Sequence, residues 1–152
     1  MYYIGCDLSL TGTGVVVIDE NGNIIKEQLI STKSTQLIEV RIIEIWSKIR
    51  QIISEYPCVN IHIEGLSYGS KGASTLDLAG LNLFIRINLM IMDQKFTIIP
   101  PTVLKKFISG KGNIKKNIVL KEIYKKFGKD FSDDNLADAF VLSEISRNKD
   151  NK

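Results

Sequence analysis

The order in which strand-like and helix-like segments follow one another constrains the fold most. Three strand-like segments come first, and the Asn21-Gly22 pair is a strong signal for a hairpin between the second and the third. Segments with helical spacing then alternate with two further strand-like runs, and helical segments close the chain. This order shows no internal repeat and no linker. It predicts one α/β domain, in which helices flank a mixed five-stranded sheet whose first three strands are antiparallel.

The apolar patterns also give approximate bounds for each segment. The predicted strands cover residues 2–8, 13–18, 24–31, 59–64 and 96–99. The predicted helices cover residues 37–53, 75–92, 103–108, about 114–127 and about 134–147, and one polar residue of 132–135 should cap the last of them. The glycine- and serine-rich stretch 65–74 predicts a mobile loop. We expect a single domain over residues 1–147 and a frayed polar tail over 148–152.

Composition excludes several classes of protein. Of the 152 residues, 44% are hydrophobic and 24% are charged, which is ordinary for a globular domain and argues against disorder. No apolar run approaches the length of about 18 residues that spans a bilayer, and the first residues lack the pattern of a signal peptide. We therefore expect a soluble, cytoplasmic protein with no membrane partner. Cys6 and Cys58 have no CxxC partner and are expected to be buried thiols.

Three acidic residues stand where structural acids are rare. Asp7 lies in an apolar strand, Glu64 ends another strand, and Asp138 lies on a helix that must pack on the sheet. Each alone has an ordinary interpretation, as a turn former, a strand-end charge or a salt-bridge partner. Together they predict a cation site, because acids are seldom buried without a partner. Asp134 shares the helix face of Asp138, and Asn135 shares it less well.

The chemistry of these ligands indicates the metal. Carboxylate oxygens without histidine or cysteine suit Mg²⁺ or Mn²⁺ better than zinc. Two such ions about 4 Å apart can activate a water and stabilise the leaving 3′ oxygen of a phosphodiester. The acids therefore predict metal-dependent hydrolysis of a phosphodiester bond.

The positive charge is concentrated in one segment. The net charge is only +3, but residues 101–128 contain eight lysines and one acid, so this segment carries +7 and the rest of the chain −4. Such a segment is expected on a surface that contacts phosphates. Taken alone, it is more often simply a solvated lysine-rich helix face.

Three short motifs in these regions resemble those of the RuvC-type Holliday junction resolvases. The stretch 4–14 resembles the family's first-strand motif, Ile63-Glu64 its second acid, and the stretch 134–139 its closing motif. The resemblance implies an RNase H-like fold and an endonuclease that resolves Holliday junctions and other branched DNA. It implies two Mg²⁺ ions per site, replaceable by Mn²⁺. The implied catalytic ligands are Asp7, Glu64, Asp138 and Asp134, with Asn135 as the alternative to Asp134.

The resemblance also assigns residues that would contact DNA. Lys116 resembles the family's lysine that faces the scissile phosphate, and it is included in the catalytic set. Lys105 resembles a second basic residue, and Tyr68 an aromatic residue that stacks on bases near the crossover; a loop aromatic without that role is the alternative. We add three lysines from the loop and the basic segment, Lys71, Lys111 and Lys115.

The short chain and altered closing motif resemble the bacteriophage branch of the family. That branch cuts several branched structures without a branch-migration motor, and it would place the protein in the host cytoplasm. A homodimer is expected, because a four-way junction has two strands to cut and C₂ pairs are the commonest oligomers. The predicted helix 75–92 is apolar nearly all round and is the candidate interface; a central helix wrapped by its own domain is the alternative.

Three other functions compete with this interpretation. The glycine-rich turn after Asp7 also resembles the phosphate-binding hairpin of sugar kinases and actin-like ATPases, but those proteins need a second domain of similar size. A catalytically idle DNA-binding domain of the same fold is a second alternative. An RNase H-type nuclease acting on RNA–DNA hybrids is the nearest rival.

Overall fold

The computed structural model describes residues 1–66, 73–112 and 114–150. It contains one mixed sheet with the strand order β3-β2-β1-β4-β5. β1–β2 and β2–β3 are antiparallel pairs, whereas β1–β4 and β4–β5 are parallel pairs, so the predicted fold class is confirmed. The strands are β1 (Tyr2–Asp7), β2 (Thr13–Asp19), β3 (Ile24–Ile30), β4 (Cys58–Glu64) and β5 (Phe96–Ile99).

Five helices are present in the described part of the chain: α1 (Ile38–Glu55), α2 (Ala73–Ile91), α3 (Pro101–Ser109), α4 (Lys116–Phe127) and α5 (Asp134–Asp150). α2 begins inside the stretch that the sequence predicts to be a loop. α5 continues three residues beyond the predicted end at Arg147. Asn148 supports this extension, because its side-chain amide donates a 2.8 Å hydrogen bond to the carbonyl of Glu144. α5 thus includes three residues of the predicted tail, and residues 151–152 lie outside the described part of the chain.

The sheet has a hydrophobic core on each face. Alternate residues of a strand face opposite sides, and Ile4 and Cys6 of β1 pack in the cluster that includes α1 and α2. Tyr3 packs in the other cluster, which includes α3, α4 and α5. Asp7 therefore lies on the α5 side of β1. On β4, Ile61 and Ile63 belong to the first cluster, so the alternation places Glu64 on the α5 side as well.

α5 lies directly on the sheet because glycines face it. A Cβ atom on Gly5 would lie 1.9 Å from the backbone oxygen of Ala139, and one on Gly14 would lie 2.2 Å from the backbone oxygen of Asn135. Gly5 is on β1, and Gly14 is the β2 residue paired with Asp7. Any side chain at these two positions would push the helix away from the strands. The glycines thus set the distance between Asp7 and the residues of α5.

The hairpin between β2 and β3 is formed as the sequence predicts. Gly22 adopts a positive φ of 81°, the backbone conformation for which glycine is favoured. The Asp19 carboxylate accepts hydrogen bonds from the backbone N–H groups of Asn21 and Asn23, at 2.9 and 2.8 Å. These bonds lower the pKa of Asp19 below its usual range, with the bonds from Asn23 contributing most.

Two expectations from the sequence require correction, one about the length of apolar runs and one about the burial of Cys58. By length and composition alone, α2 is apolar enough over Ser74–Ile91 to cross a membrane, although the sequence analysis found no run of that length. One of its stripes nevertheless packs in the core of the domain, through Leu81, Ile85 and Leu89. Cys6 is a buried free thiol as expected, but Cys58 is only half-buried. Burial raises the pKa of Cys58 to about 12, so this thiol stays neutral.

Candidate metal centre

Three carboxylates converge at the ends of β1 and β4. One ligand oxygen from each of Asp7, Glu64 and Asp138 lies within 4.8 Å of the other two. Asp7 is buried, whereas Glu64 and Asp138 are half-buried. β1 and β4 are parallel neighbours in which Cys6 pairs with Ile63, so the next residues, Asp7 and Glu64, leave the sheet side by side.

The capping of α5 helps to place the third carboxylate. The Asp133 side chain accepts hydrogen bonds from the backbone N–H groups of Asn135 and Leu136, at 2.9 and 3.2 Å, and so caps the helix. The close contact at Gly5 then holds the following turn against β1. Asp138 precedes the contact residue Ala139, which is why it lies beside the end of the strand. Asp134 lies one turn earlier on the same helix.

The trio lies in a cleft of about 280 Å³ at the edge of the sheet. Asp134 and Asn135 line the same cleft, together with Lys105 of α3. Three negative charges this close repel one another in a partly buried setting, and a bound cation would relieve that repulsion. The ligand atoms of the trio are all carboxylate oxygens, which fit a hard divalent cation.

The Asn135 side chain also forms a hydrogen bond that connects α5 to the turn between β1 and β2. Its side-chain amide donates a 2.6 Å hydrogen bond to the backbone carbonyl of Gly12, in the turn between β1 and β2. This bond ties the first turn of α5 to the turn that follows Asp7. The bond uses the amide nitrogen, so it excludes neither the side-chain oxygen of Asn135 nor the carboxylate of Asp134 as a ligand in the cleft that these residues line.

The basic residues predicted to contact DNA differ in their position relative to the cleft. Lys105 lines the cleft, whereas Lys111 and Lys115 are exposed in the segment between α3 and α4. Lys116 is the first residue of α4, and its side chain lies outside the described part of the structure, as do Tyr68 and Lys71.

The distal lysines of the basic segment contact the protein itself. The Lys126 ammonium donates a 2.7 Å hydrogen bond to the carbonyl of Phe107 and lies 4.1 Å from the centre of that residue's ring. Lys125 forms a 2.9 Å ion pair with Glu122. Two of the eight lysines of the segment therefore already have partners within the protein.

Two polar residues of the cleft, Ser9 and Asn82, were not predicted as site residues from the sequence. Asn82 of α2 is only 4% exposed and lines the cleft beside the carboxylates. Its neighbours on the helix surface, Leu78 and Ile85, pack in the core. A lone amide within the buried stripe of an apolar helix was the available signal, because such a group needs a polar neighbour.

A mixed sheet of this order, carrying an oxygen-ligand cluster at the ends of its first and fourth strands, defines an RNase H-like fold with a metal-dependent nuclease centre. The family model described as crossover junction endodeoxyribonuclease RuvC matches residues 3–143. The chain therefore belongs to the RuvC family.

Individual relatives agree in length and fold. The crossover junction endodeoxyribonuclease RuvC of Brachyspira hyodysenteriae is 25% identical over 154 aligned positions, which cover 98% of this chain and 96% of the relative. The RuvC structure from Thermus thermophilus has a TM-score of 0.81 at 14% identity, covering 94% of this chain and 91% of that one. The Fowlpox virus resolvase, solved with substrate Holliday junction DNA, has a TM-score of 0.62 at 12% identity and full coverage of both chains. The two structural likenesses support the fold assignment.

Proposed function

We propose that this protein is a divalent-cation-dependent endonuclease that resolves four-way DNA junctions. The convergence of Asp7, Glu64 and Asp138 within 4.8 Å is the observation that carries the proposal. Membership of the RuvC family supports the substrate class, as do the relatives that have been solved with Holliday junction DNA.

The chain's own residues would supply ligands and orientation. Asp7, Glu64 and Asp138 would hold Mg²⁺, or Mn²⁺ in its place, and Asp134 at the rim of the same cleft is the proposed fourth ligand. Two ions bound there would activate water and stabilise the leaving oxygen. Asp7 is held by its strand and Asp138 by the capped helix, so these ligands are positioned before DNA binds.

Lysines would bring the phosphate backbone to this centre. Lys105 lines the cleft, where its charge can contact the phosphate that is cut. We propose that Lys111, Lys115 and Lys116 extend this contact outward, since they follow α3 along the chain. Tyr68 and Lys71, which lie outside the described residues, remain proposed DNA contacts.

A homodimer is the proposed working form. α2 carries a second apolar stripe on the side opposite its core stripe, and this stripe is exposed: Leu76, Leu83, Ile87, Met90 and Ile91. A helix wrapped by its own domain would not leave such residues in water, so the stripe favours an interface. The same stripe on a second copy offers a matching apolar surface, and a C₂ pair would present two metal centres to the two strands of a junction.

We also propose a cytoplasmic location and activity on forks as well as four-way junctions. The mixed charge and single packed domain support a soluble DNA-processing enzyme, and the location would be the host cytoplasm if the gene is carried by a phage. The resemblance to the bacteriophage branch supports the broader substrate range.

The test is cleavage of labelled four-way junction, fork, RNA–DNA hybrid and linear duplex side by side, with Mg²⁺ and with EDTA. We expect cutting of the junction and the fork in Mg²⁺, paired nicks in strands of like polarity, and no cutting in EDTA. Preferential cutting of the hybrid would instead establish an RNase H-type activity. Tight junction binding without cutting, under all conditions, would establish an idle DNA-binding domain.

A further inference from the structure

A second pocket adjoins the cleft of the metal centre. It has a volume of about 420 Å³ and shares Ser9, Leu66 and Leu78 with that cleft, so the two form a continuous depression. Its polar lining consists of one cation, one acid and five hydroxyl side chains: Arg41, Asp77, Ser9, Thr11, Ser34, Ser74 and Thr75. We call this second pocket, without the cleft of the metal centre, the Arg41 pocket.

Arg41 is fixed in place before any ligand binds. Its Nε donates a 2.8 Å hydrogen bond to the Thr32 hydroxyl, and its Nη2 donates a 2.9 Å bond to the carbonyl of Leu10. These bonds hold the half-buried guanidinium against the turn that follows β1. A guanidinium has five N–H groups, of which these bonds use two, and a fixed planar fork loses little entropy when it binds a phosphate.

The Arg41 pocket lies on the opposite side of the sheet from the basic segment. Arg41 is on α1, which packs on one face of the sheet, whereas Lys105 is on α3, which packs on the other. Both residues border the depression at the ends of β1 and β4. The shared lining residue Ser9 leaves a path from the metal centre to Arg41 for a DNA strand that approaches from the Lys105 side.

We propose that the Arg41 pocket binds a backbone phosphate of the cut DNA strand. This phosphate would be a near neighbour of the phosphate that is cut. Arg41 would make the charged contact, and the surrounding hydroxyls can donate further hydrogen bonds to phosphate oxygens. The inference rests on the proposed junction-cutting function. It adds a contact that positions the strand on the side away from the lysines.

The test replaces single charged phosphates of a four-way junction by uncharged methylphosphonates, at each of the three positions on either side of the cut. Binding is measured in EDTA, so that the junction is bound without being cut. For the wild-type protein, one flanking substitution should weaken binding by about tenfold, as expected for loss of a charged hydrogen bond. For the Arg41→Gln protein, the same methylphosphonate should change junction affinity by less than about twofold.

Two further variants separate a phosphate contact from a purely structural role. Arg50→Gln, an exposed arginine elsewhere on α1, should keep the wild-type sensitivity at every position. Asp77→Asn removes the exposed acid that lines the pocket and should tighten binding to the charged junction, but not to the junction neutralised at the coupled position. This second comparison holds even if Arg41→Gln fails to fold.

The outcomes distinguish the two levels of the proposal. If Arg41→Gln weakens binding equally for every methylphosphonate junction, Arg41 only clamps the turn, and the phosphate subsite is overturned. An Asp77→Asn variant that binds both junctions as the wild type does would also count against it. A wild-type protein that neither binds nor cuts junctions would instead refute the proposed function, and the subsite with it.

Discussion

At the scale of single residues, His62 is a polar side chain that is fully enclosed between the sheet and α5. It lies two positions before Glu64 on the same face of β4 and has no exposed surface. Burial lowers its pKa to about 4, and the positive charge of Lys149 adds to that effect. The imidazole is therefore neutral in the folded protein at neutral pH, and it contributes no charge near the metal centre.

This burial predicts a loss of stability in mild acid. Between pH 6.5 and pH 4, the unfolded chain binds a proton at His62 that the folded chain does not, so the free energy of unfolding falls as the pH falls. One pKa unit corresponds to about 1.4 kcal/mol, which gives a loss of about 3 kcal/mol by pH 4. Urea unfolding from pH 7 to pH 4 should show this loss in the wild type.

His62→Gln supplies the control, because it retains a polar side chain that does not titrate in this range. Both proteins contain the same acidic residues, so the difference between the two profiles reports the contribution of His62. Parallel profiles would show that His62 does not contribute to the pH dependence.

At the scale of elements, the contact between α5 and β1 determines the geometry of the metal centre. Gly5→Ala would place a methyl group against backbone atoms of Ala139 and Ser143, at 1.9 and 2.6 Å, where no side chain can move aside. We expect a loss of about 3 kcal/mol of stability or more. Any folded fraction should bind Mn²⁺ more weakly, because Asp138 moves with the helix. Urea unfolding and Mn²⁺ titration measure the two effects.

Gly80→Ala is the matched control for this change. Gly80 lies on α2, and a Cβ atom there would meet nothing within 4 Å. Alanine is the better helix former, so this variant should be unchanged or more stable by up to about 1 kcal/mol. Equal stability of the Gly5 and Gly80 variants would show that α5 is not held at the distance we describe.

How far the sequence could predict these features depended on how local their signals are. Asp7, Glu64 and Asp138 were recognisable because each acid interrupts an apolar pattern of its own element. The role of Arg41 depends on Leu10, which lies 31 positions away, and Asn135 bonds Gly12 across 123 positions. No pattern within a segment reports such pairs, and a resemblance in the motifs does not include them.

The ends of helices show the same limit. The sequence could predict a cap within residues 132–135 but not which residue forms it. The hydrogen bonds from the backbone N–H groups of Asn135 and Leu136 identify Asp133 as the cap. Likewise, the polar composition after Arg147 suggested a frayed tail. The structure extends α5 to Asp150, and within this extension the Asn148 side chain donates a hydrogen bond to the carbonyl of Glu144 in the preceding turn.

At the scale of the whole molecule, the basic residues around the cleft predict a salt-dependent affinity for DNA. Alanine at Lys105, Lys111 or Lys115 should each flatten the slope of log affinity against log salt by roughly one unit or less. Lys125→Ala is the control, because this lysine is paired with Glu122 on the protein. Junction binding measured from low to high salt tests this directly. If the affinity did not change with salt, the lysines would not contact phosphates and the segment would simply be a solvated helix face.

The exposed stripe of α2 predicts the oligomeric state. Leu83→Lys or Met90→Lys should dissociate the dimer, because a charge would be buried without a partner, and should uncouple the two cuts in a junction. Tyr124→Lys, which changes an exposed side chain on α4, should leave the dimer intact. Sedimentation at micromolar concentration measures both. A wild-type protein that is monomeric when free and when bound to junction DNA would exclude the dimer.

The most direct test of the account compares the wild type with Asp7→Asn, in Mn²⁺ binding, junction binding and junction cleavage. Asparagine keeps the size of the side chain but removes the buried carboxylate from the trio. We predict that Mn²⁺ affinity falls and cutting slows by at least about a hundredfold. Junction affinity should stay within about threefold, because the basic surface is unchanged. Cutting at the wild-type rate by Asp7→Asn would contradict the assignment of the metal centre.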